Sequence, residues 1–293
     1  MLKHTWSTPQ KPARVCLLGG KGFVASSVSE SLNEHQIPVE AIGSNTLDLT
    51  APGAGKQLAD RLRPDDALVF VSARAPSKTP ALFMENLAMA NAVAEAMVLR
   101  SPAHLVYISS DAVYPDHLDL VREGECAQPD SLHGAMHVAR ESILKAVFKG
   151  PLAILRPTLL YGATDPHNGY GPNRYMRLAA AGETITLFGE GEEQRDHVWI
   201  RDVAEIVRLT LMHRSTGLLN IATGHSFSFR AVAEQVVSLF DTPVTIQGTP
   251  RQNPITHRHY DITASHKAFP EFHYTPLQDG LAAIHRLGMA PKR

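Results

Sequence analysis

One stretch, Arg14-Val-Cys-Leu-Leu-Gly-Gly-Lys-Gly-Phe-Val-Ala25, constrains this chain more than any other: a short apolar run breaks into glycines and then into an amphipathic segment. It reads as a strand, a tight turn and the start of a helix. Gly19 can supply the turn, Gly22 lets a phosphate approach the backbone without meeting a Cβ, and Ala25 stands where close helix–strand packing asks for a very small residue. Free N–H groups at the new helix end would face that phosphate. The stretch predicts a nucleotide site at the first βα turn, although two glycines also serve the geometry of such turns alone.

Composition narrows the partners. Lys+Arg 28 against Asp+Glu 29 gives a net charge of -1, which offers no bulk attraction for nucleic acid or an anionic membrane. Small molecules or another protein chain are left as partners. The two cysteines, Cys16 in the predicted strand and Cys126 in a polar loop, suggest neither a disulfide framework nor a metal site, and a reducing, cytoplasmic setting follows. Residues 1–12 lack the apolar core of a leader, and no apolar run approaches the roughly 18 residues of a membrane span. A soluble, unprocessed chain is expected.

Strands and helices then alternate. A helix over 22–34 leads to a strand over 38–42 that ends in Gly43-Ser44-Asn45, without the acidic residue that commonly bonds the adenosine ribose of NAD. No Arg or Lys stands there for the 2′-phosphate of NADP, so the choice between NAD and NADP is open. Asp48, just beyond, reads locally as a turn or helix cap. Ala67-Leu-Val-Phe-Val71 is the continuous apolar run of a strand buried on both faces, and it ends at Ser72-Ala73. Apolar residues at helical spacing predict a helix over 82–100, followed by a strand over 104–108, a helix over 131–149 and a strand over 152–156.

This alternation predicts an α/β fold, a Rossmann-type doubly wound parallel sheet. Beyond Gly162 the pattern changes to a Gly- and Pro-rich loop, a helix near 174–181, a strand over 184–188, a helix over 203–212 and a strand over 218–221 returning to the sheet. A helix over 229–240, a strand over 244–246 and a loop-rich remainder follow. The expected division assigns 1–165 and 196–225 to a dinucleotide-binding domain, and 166–195 and 226–293 to a small, discontinuous substrate-binding domain.

The spacing Gly19-x-x-Gly22-x-x-Ala25, continued through Phe23 and Val24, resembles the extended short-chain dehydrogenase/reductase family, the epimerases and dehydratases of nucleotide sugars, whose third glycine is Ala25 here. The resemblance runs from about Arg14 to Gly288. It implies NAD or NADP held by Gly19, Gly22, Phe23, Val24, Asp48, Ser72, Ala73 and His137, and a homodimer formed through the helices over 82–100 and 131–149. Ser109-Ser-Asp-Ala-Val-Tyr114 resembles the family's Ser-Ser-x-x-Val-Tyr segment. That match implies Ser110 as the hydroxyl on the reacting sugar oxygen and Asp111 as the acid of the dehydratase branch. Read locally, the same residues only cap a turn. Arg156-Pro-Thr-Leu-Leu-Tyr-Gly162 resembles the family's Arg-Pro-x-Asn-x-Tyr-Gly, with Leu159 in place of the substrate-binding Asn. The segment from Phe188 to Val198 implies Arg195 as a pyrophosphate ligand, and Arg251 and Asn173 complete the implied substrate set.

The family's Ser-x-Tyr-Gly-x-x-Lys-x-x-x-Glu frame is present as Ser131-Leu-His-Gly-Ala-Met-His-Val-Ala-Arg-Glu141, with His133 at the Tyr register and His137 at the Lys register. Three readings follow. His133 is the acid/base, since imidazole titrates near pH 6.5 without help from a neighbouring ammonium. The pair at i and i+4 binds a metal, although no third ligand is apparent. Or hydride chemistry has been lost. The expected function is an NAD(P)-dependent epimerase, dehydratase or reductase acting on a nucleotide-activated sugar, with His133 and His137 in the catalytic positions; the alternative is a catalytically silent dinucleotide-binding sensor or scaffold.

Overall fold

The computed structural model describes residues 1–166 and 168–288. In chain order it contains β1 (Val15–Leu18), α1 (Phe23–Glu34), β2 (Val39–Ile42), α2 (Ala54–Arg61), β3 (Ala67–Phe70), α3 (Pro80–Leu99) and β4 (His104–Ile108). A 3-10 turn at Asp111–Val113 precedes β5 (Leu120–Val121), α4 (Leu132–Val147), β6 (Leu152–Pro157) and β7 (Leu159–Tyr161). Then come α5 (Pro172–Ala180), β8 (Ile185–Phe188), β9 (Gln194–Trp199), α6 (Ile200–Met212), β10 (Gly217–Ile221) and β11 (Ser226–Ser228). The remainder is α7 (Phe229–Val237), β12 (Ile246–Thr249), β13 (His259–Tyr260), α8 (Thr263–Ala268) and α9 (Leu277–Leu287).

Six strands form one sheet in the order β10-β6-β4-β3-β1-β2, with every pairing parallel. The two-residue period of β1 divides its side chains between the faces. Val15 and Leu17 join the core under α1 and α6, whereas Cys16 and Leu18 join the core under α2 and α3. A strand buried on both faces has no polar positions, which is why these runs read as continuous apolar segments. The order reverses at β1, between β2 and β3, so a crevice opens at the carboxyl ends of these strands.

A third core, with Tyr161, Tyr175, Leu187, Phe229, Val232 and Leu281, joins β7, α5, β8, α7 and α9 into the smaller part of the molecule. Several particulars differ from the expectation. The stretch beyond residue 250 is not merely loop-rich: it carries α8 and α9, the latter burying Leu277, Leu281 and Ile284 along one stripe. Ala264 and Phe269 pack into the core under α1 and α6, so this part of the chain returns to the large sheet instead of staying with the small unit. α2 was also not predicted, because Gly53 and Gly55 break its pattern, yet Gly55 is where the Glu95 side chain of α3 packs. The expectation that no segment matches a membrane span also fails by length and composition, since α3 meets both. It buries Met89, Ala90, Val93, Ala96 and Met97 in the core shared with α2 and α4.

Candidate active site

A cavity of about 670 Å³ follows the carboxyl ends of the strands, from the β1–α1 turn at Gly19 and Gly22, past Ser72, to Ser110, Asp111 and His133. Gly19 has φ 141°, and a Cβ there would lie 3.2 Å from the Cβ atoms of Ala25 and Val71; the turn closes only because it carries no side chain. Gly22 caps α1 without a side-chain bond, leaving the first-turn N–H groups for a ligand. Phe23, Val24, Asp48, Ser72 and Ala73, the residues that the resemblance implies for the cofactor, all line the same cavity. Asp48 Oδ1 accepts bonds from Thr50 Oγ1 (2.7 Å) and Thr50 N (2.9 Å), which hold its carboxyl below the usual range. The missing acidic residue at the end of β2 now has a steric setting: a Cβ on Gly20 would come within 2.6 Å of Gly43 Cα, so the turn lies directly on that glycine.

At the other end of the cavity, Ser110 caps the 3-10 turn by accepting from Ala112 N, and its hydroxyl donates to Asp111 Oδ1 at 3.3 Å. Asp111 Oδ2 accepts from Tyr260 Oη at 2.6 Å, Arg258 Nη1 at 3.4 Å and Thr158 Oγ1 at 3.5 Å. Ser110 therefore caps a turn, as its local reading has it, and it also lines the cavity. Tyr260 and Arg258 had no signal in the sequence, because they arrive on β13 and the residue before it from far along the chain. α4 brings its histidines to this turn through Gly134, where a Cβ would lie 1.9 Å from Ala112 O.

His133 and His137 both line the cavity, with ring centroids 4.8 Å apart in an edge-on arrangement. His133 Nδ1 accepts from the backbone N–H of Ser77 at 3.4 Å, and His137 Nδ1 is 2.7 Å from Tyr107 Oη. Burial pushes both rings below the ordinary imidazole range, His137 furthest, aided by the Arg140 charge. Arg140 is wholly buried against the rings of Phe70 and Tyr107, its Nη2 donating to Ser72 O at 2.6 Å. It forms no ion pair among the described residues. Glu141, the last residue of the frame, accepts from Arg156 Nε and Nη2 and from Ser109 Oγ. Burial pushes its carboxyl up, but those bonds outweigh it and hold it below the usual range. This pair ties α4 to β4 and β6 and fixes the helix that carries the histidines.

The implied substrate residues divide. Asn173 lines the cavity, but its amide is committed, accepting from Gly162 N and donating to Leu160 O and Asp165 Oδ2. Arg195 and Arg251 do not line the cavity. Arg195 bonds Glu193 and Thr256, and Arg251 bonds Glu192 at 2.8 Å. His197, two residues along β9 from Arg195 and on the same face, does line it; sequence reasoning missed this residue, whose burial pushes its pKa down to about 3.

A parallel six-stranded sheet with a glycine turn at its switch point and a polar cluster beside it defines a dinucleotide-dependent enzyme fold. The comparisons agree. Residues 15–222 match the NAD dependent epimerase/dehydratase family, and the chain belongs to that family, as an enzyme that uses NAD or NADP. The dTDP-L-rhamnose 4-epimerase of Burkholderia thailandensis is 25% identical over 322 aligned positions, covering 86% of this chain and 88% of the relative. Among solved structures, MoeE5 in complex with UDP-glucose and NAD superposes with a TM-score of 0.80 at 24% identity, over 93% of this chain and 97% of the other. A GDP-L-fucose synthetase from Naegleria fowleri bound to NADP gives 0.83 at 16% identity, over 98% and 97%.

Proposed function

We propose that this enzyme acts on a nucleotide-activated sugar, inverting a ring carbon, eliminating water or reducing the sugar by hydride transfer at a carbon next to Ser110, Asp111 and His133. The observation that carries the reading is the single cavity that joins the Gly19–Gly22 turn to Asp111 and the two histidines, so that cofactor and reacting carbon share one enclosure. The residues fit a dinucleotide: the uncapped α1 N-terminus and the Cβ-free turn suit its pyrophosphate. When bound, the nicotinamide supplies reversible hydride acceptance.

The chain's own groups do the rest. Ser110 bonds the reacting oxygen, the histidines line its surroundings, and a group of this cluster takes up its proton. The nucleoside diphosphate extends past His197 toward Arg195 and Arg251, where the guanidiniums would exchange their glutamate partners for phosphate oxygens. A second copy of the chain covers α3 and α4, where Met84, Val98, Leu99 and Leu132 are exposed.

The test is incubation of the purified protein with NAD or NADP and a panel of nucleoside diphosphate sugars, followed by proton NMR of the sugar ring. Appearance of an epimer or a dehydrated keto sugar supports the reading. Tight dinucleotide binding with no sugar altered would favour the silent sensor instead.

A further inference from the structure

The protons of the two histidine rings can be assigned from their partners. A backbone N–H can only donate, so the bond from Ser77 N occupies the lone pair of His133 Nδ1. In the neutral ring the proton then sits on Nε2. The Tyr107 hydroxyl is fully buried and has His137 Nδ1 as its one partner among the described residues. Were His137 to donate instead, the phenol proton would be buried without an acceptor, at a cost of about 1–3 kcal/mol. Tyr107 therefore donates, and His137 also carries its proton on Nε2. Arg140 and Arg156 bear on His137, and Asp111 and Arg140 on His133, so two cations and one carboxylate surround the pair.

We infer that His133 and His137 form a pair of fixed Nε2–H donors to ligand oxygens, and that the proton of the reacting hydroxyl goes to the carboxylate of Asp111. A ring whose Nδ1 lone pair is taken and whose Nε2 is protonated has nothing left to accept a proton with. Asp111 does: among the described residues Oδ2 receives three protein donors, whereas Oδ1 receives only Ser110 Oγ and keeps a lone pair. In the step, the hydroxyl O–H bond breaks, its electrons stay on the sugar oxygen, and the proton bonds to Asp111 Oδ1; the reverse step returns it. His137 Nε2–H supplies to the cofactor ribose one of the donors that a lysine would bring. Tyr107 and Ser77 are positioning residues. The proton-acceptor half of this assignment rests on the sugar-oxidising reading above, whereas the tautomers rest on the hydrogen bonds alone.

Long-range ¹H–¹⁵N spectra of the ligand-free protein test the tautomers, with His133→Gln and His137→Gln assigning the signals. Both rings should show a protonated Nε2 and an unprotonated Nδ1 across neutral pH. An Nδ1–H form, or a protonated ring at neutral pH, would overturn the donor pair. Tyr107→Phe should release the His137 tautomer while leaving that of His133 unchanged. By calorimetry, His137→Gln, which keeps an N–H, should retain dinucleotide affinity better than His137→Phe.

In turnover, His133→Gln should stay within about tenfold of wild type and His133→Phe should lose about 10- to 100-fold, the scale of one buried hydrogen bond. Asp111→Asn should lose about 10²- to 10⁴-fold while the protein stays folded, with a lowered thermal midpoint because Arg258 loses a carboxylate partner. Equal loss in the Gln and Phe variants, or a fully active Asp111→Asn, would return the proton to His133. A protein that alters no sugar would end the substrate reading and leave the spectra to decide the tautomers.

Discussion

Tyr260 donates a 2.6 Å hydrogen bond to Asp111 Oδ2 across 149 residues of sequence, joining β13 to the turn that follows β4. The phenol ring packs with Val113, Tyr114 and Val121, so Tyr260→Phe removes the bond and keeps the packing. The variant should lose about 1–2 kcal/mol of stability, as one buried donor is deleted. If Asp111 handles the proton, kcat should also fall about tenfold while KM holds. Turnover beside urea unfolding checks both, and unchanged kcat would detach this carboxylate from the reaction.

Gly134→Ala offers a test by sign. In an ordinary helix interior this exchange stabilises by roughly 0.5–1 kcal/mol. Here the new Cβ would fall 1.9 Å from Ala112 O and 2.7 Å from Pro129 Cβ, against backbone and a ring that cannot give way cheaply. The expected outcome is a destabilisation of about 1–3 kcal/mol, the usual range for overpacking, together with lost activity as α4 moves off the Ser110–Val113 turn. A raised urea midpoint would show that the helix does not need this contact.

Stability should depend on pH through buried histidines. Burial pushes His104 down to about 4 and His197 to about 3, against 6.5 for a free ring. Between those values the unfolded chain binds protons that the folded one refuses, so stability is complete above pH 6.5 and falls as pH drops toward 4. His133 and His137 act in the same sense. Asp196 and Asp202 act oppositely: burial pushes Asp196 up to about 6 and Asp202 above the usual carboxylate range, so acid relieves both as pH falls toward their unfolded values. The four histidines outnumber them, and the net slope should favour the fold at neutral pH by about 1.4 kcal/mol per unit for each net proton. His104→Gln, able to keep the bond to Ser215 O, should flatten the slope by up to one proton in urea titrations between pH 5 and 7.

How much of this was legible in the sequence follows from the range of each signal. The parallel sheet was readable because its strands are buried on both faces, and the β1–α1 turn because glycines there answer a local steric demand. β5, β7, β9, β11 and β13 were missed: β9, Gln194–Trp199, is buried at Asp196, His197 and Val198, a polar run whose partners come from elsewhere. Asp196 accepts from Thr223 and Gly224, contacts with no sequence period. The two histidine registers were visible as substitutions in a frame. Their tautomers were not, because these depend on Ser77 and Tyr107, which belong to other elements. Arg195 read as a phosphate ligand from its motif, yet its glutamate neighbour was equally present in the sequence, and nothing local decides between a glutamate and a ligand.

The β1–α1 turn carries the most direct test of cofactor binding. Gly22 has an ordinary extended backbone, φ -66° and ψ 160°, and a Cβ on it would meet only Gly19 O, at 3.1 Å. The fold therefore tolerates a side chain at this position with small adjustment. A ligand on the first turn of α1 does not, because the branches of valine would stand between the pyrophosphate and the N–H groups that no protein cap uses. Gly22→Val should keep the thermal midpoint of the ligand-free protein within a few degrees and lose the midpoint increase that NAD or NADP gives wild type; at a hundredfold excess over Kd that increase reflects about 2.7 kcal/mol. Calorimetric titration with each dinucleotide measures the loss directly. Affinity preserved for both would move the cofactor away from this turn.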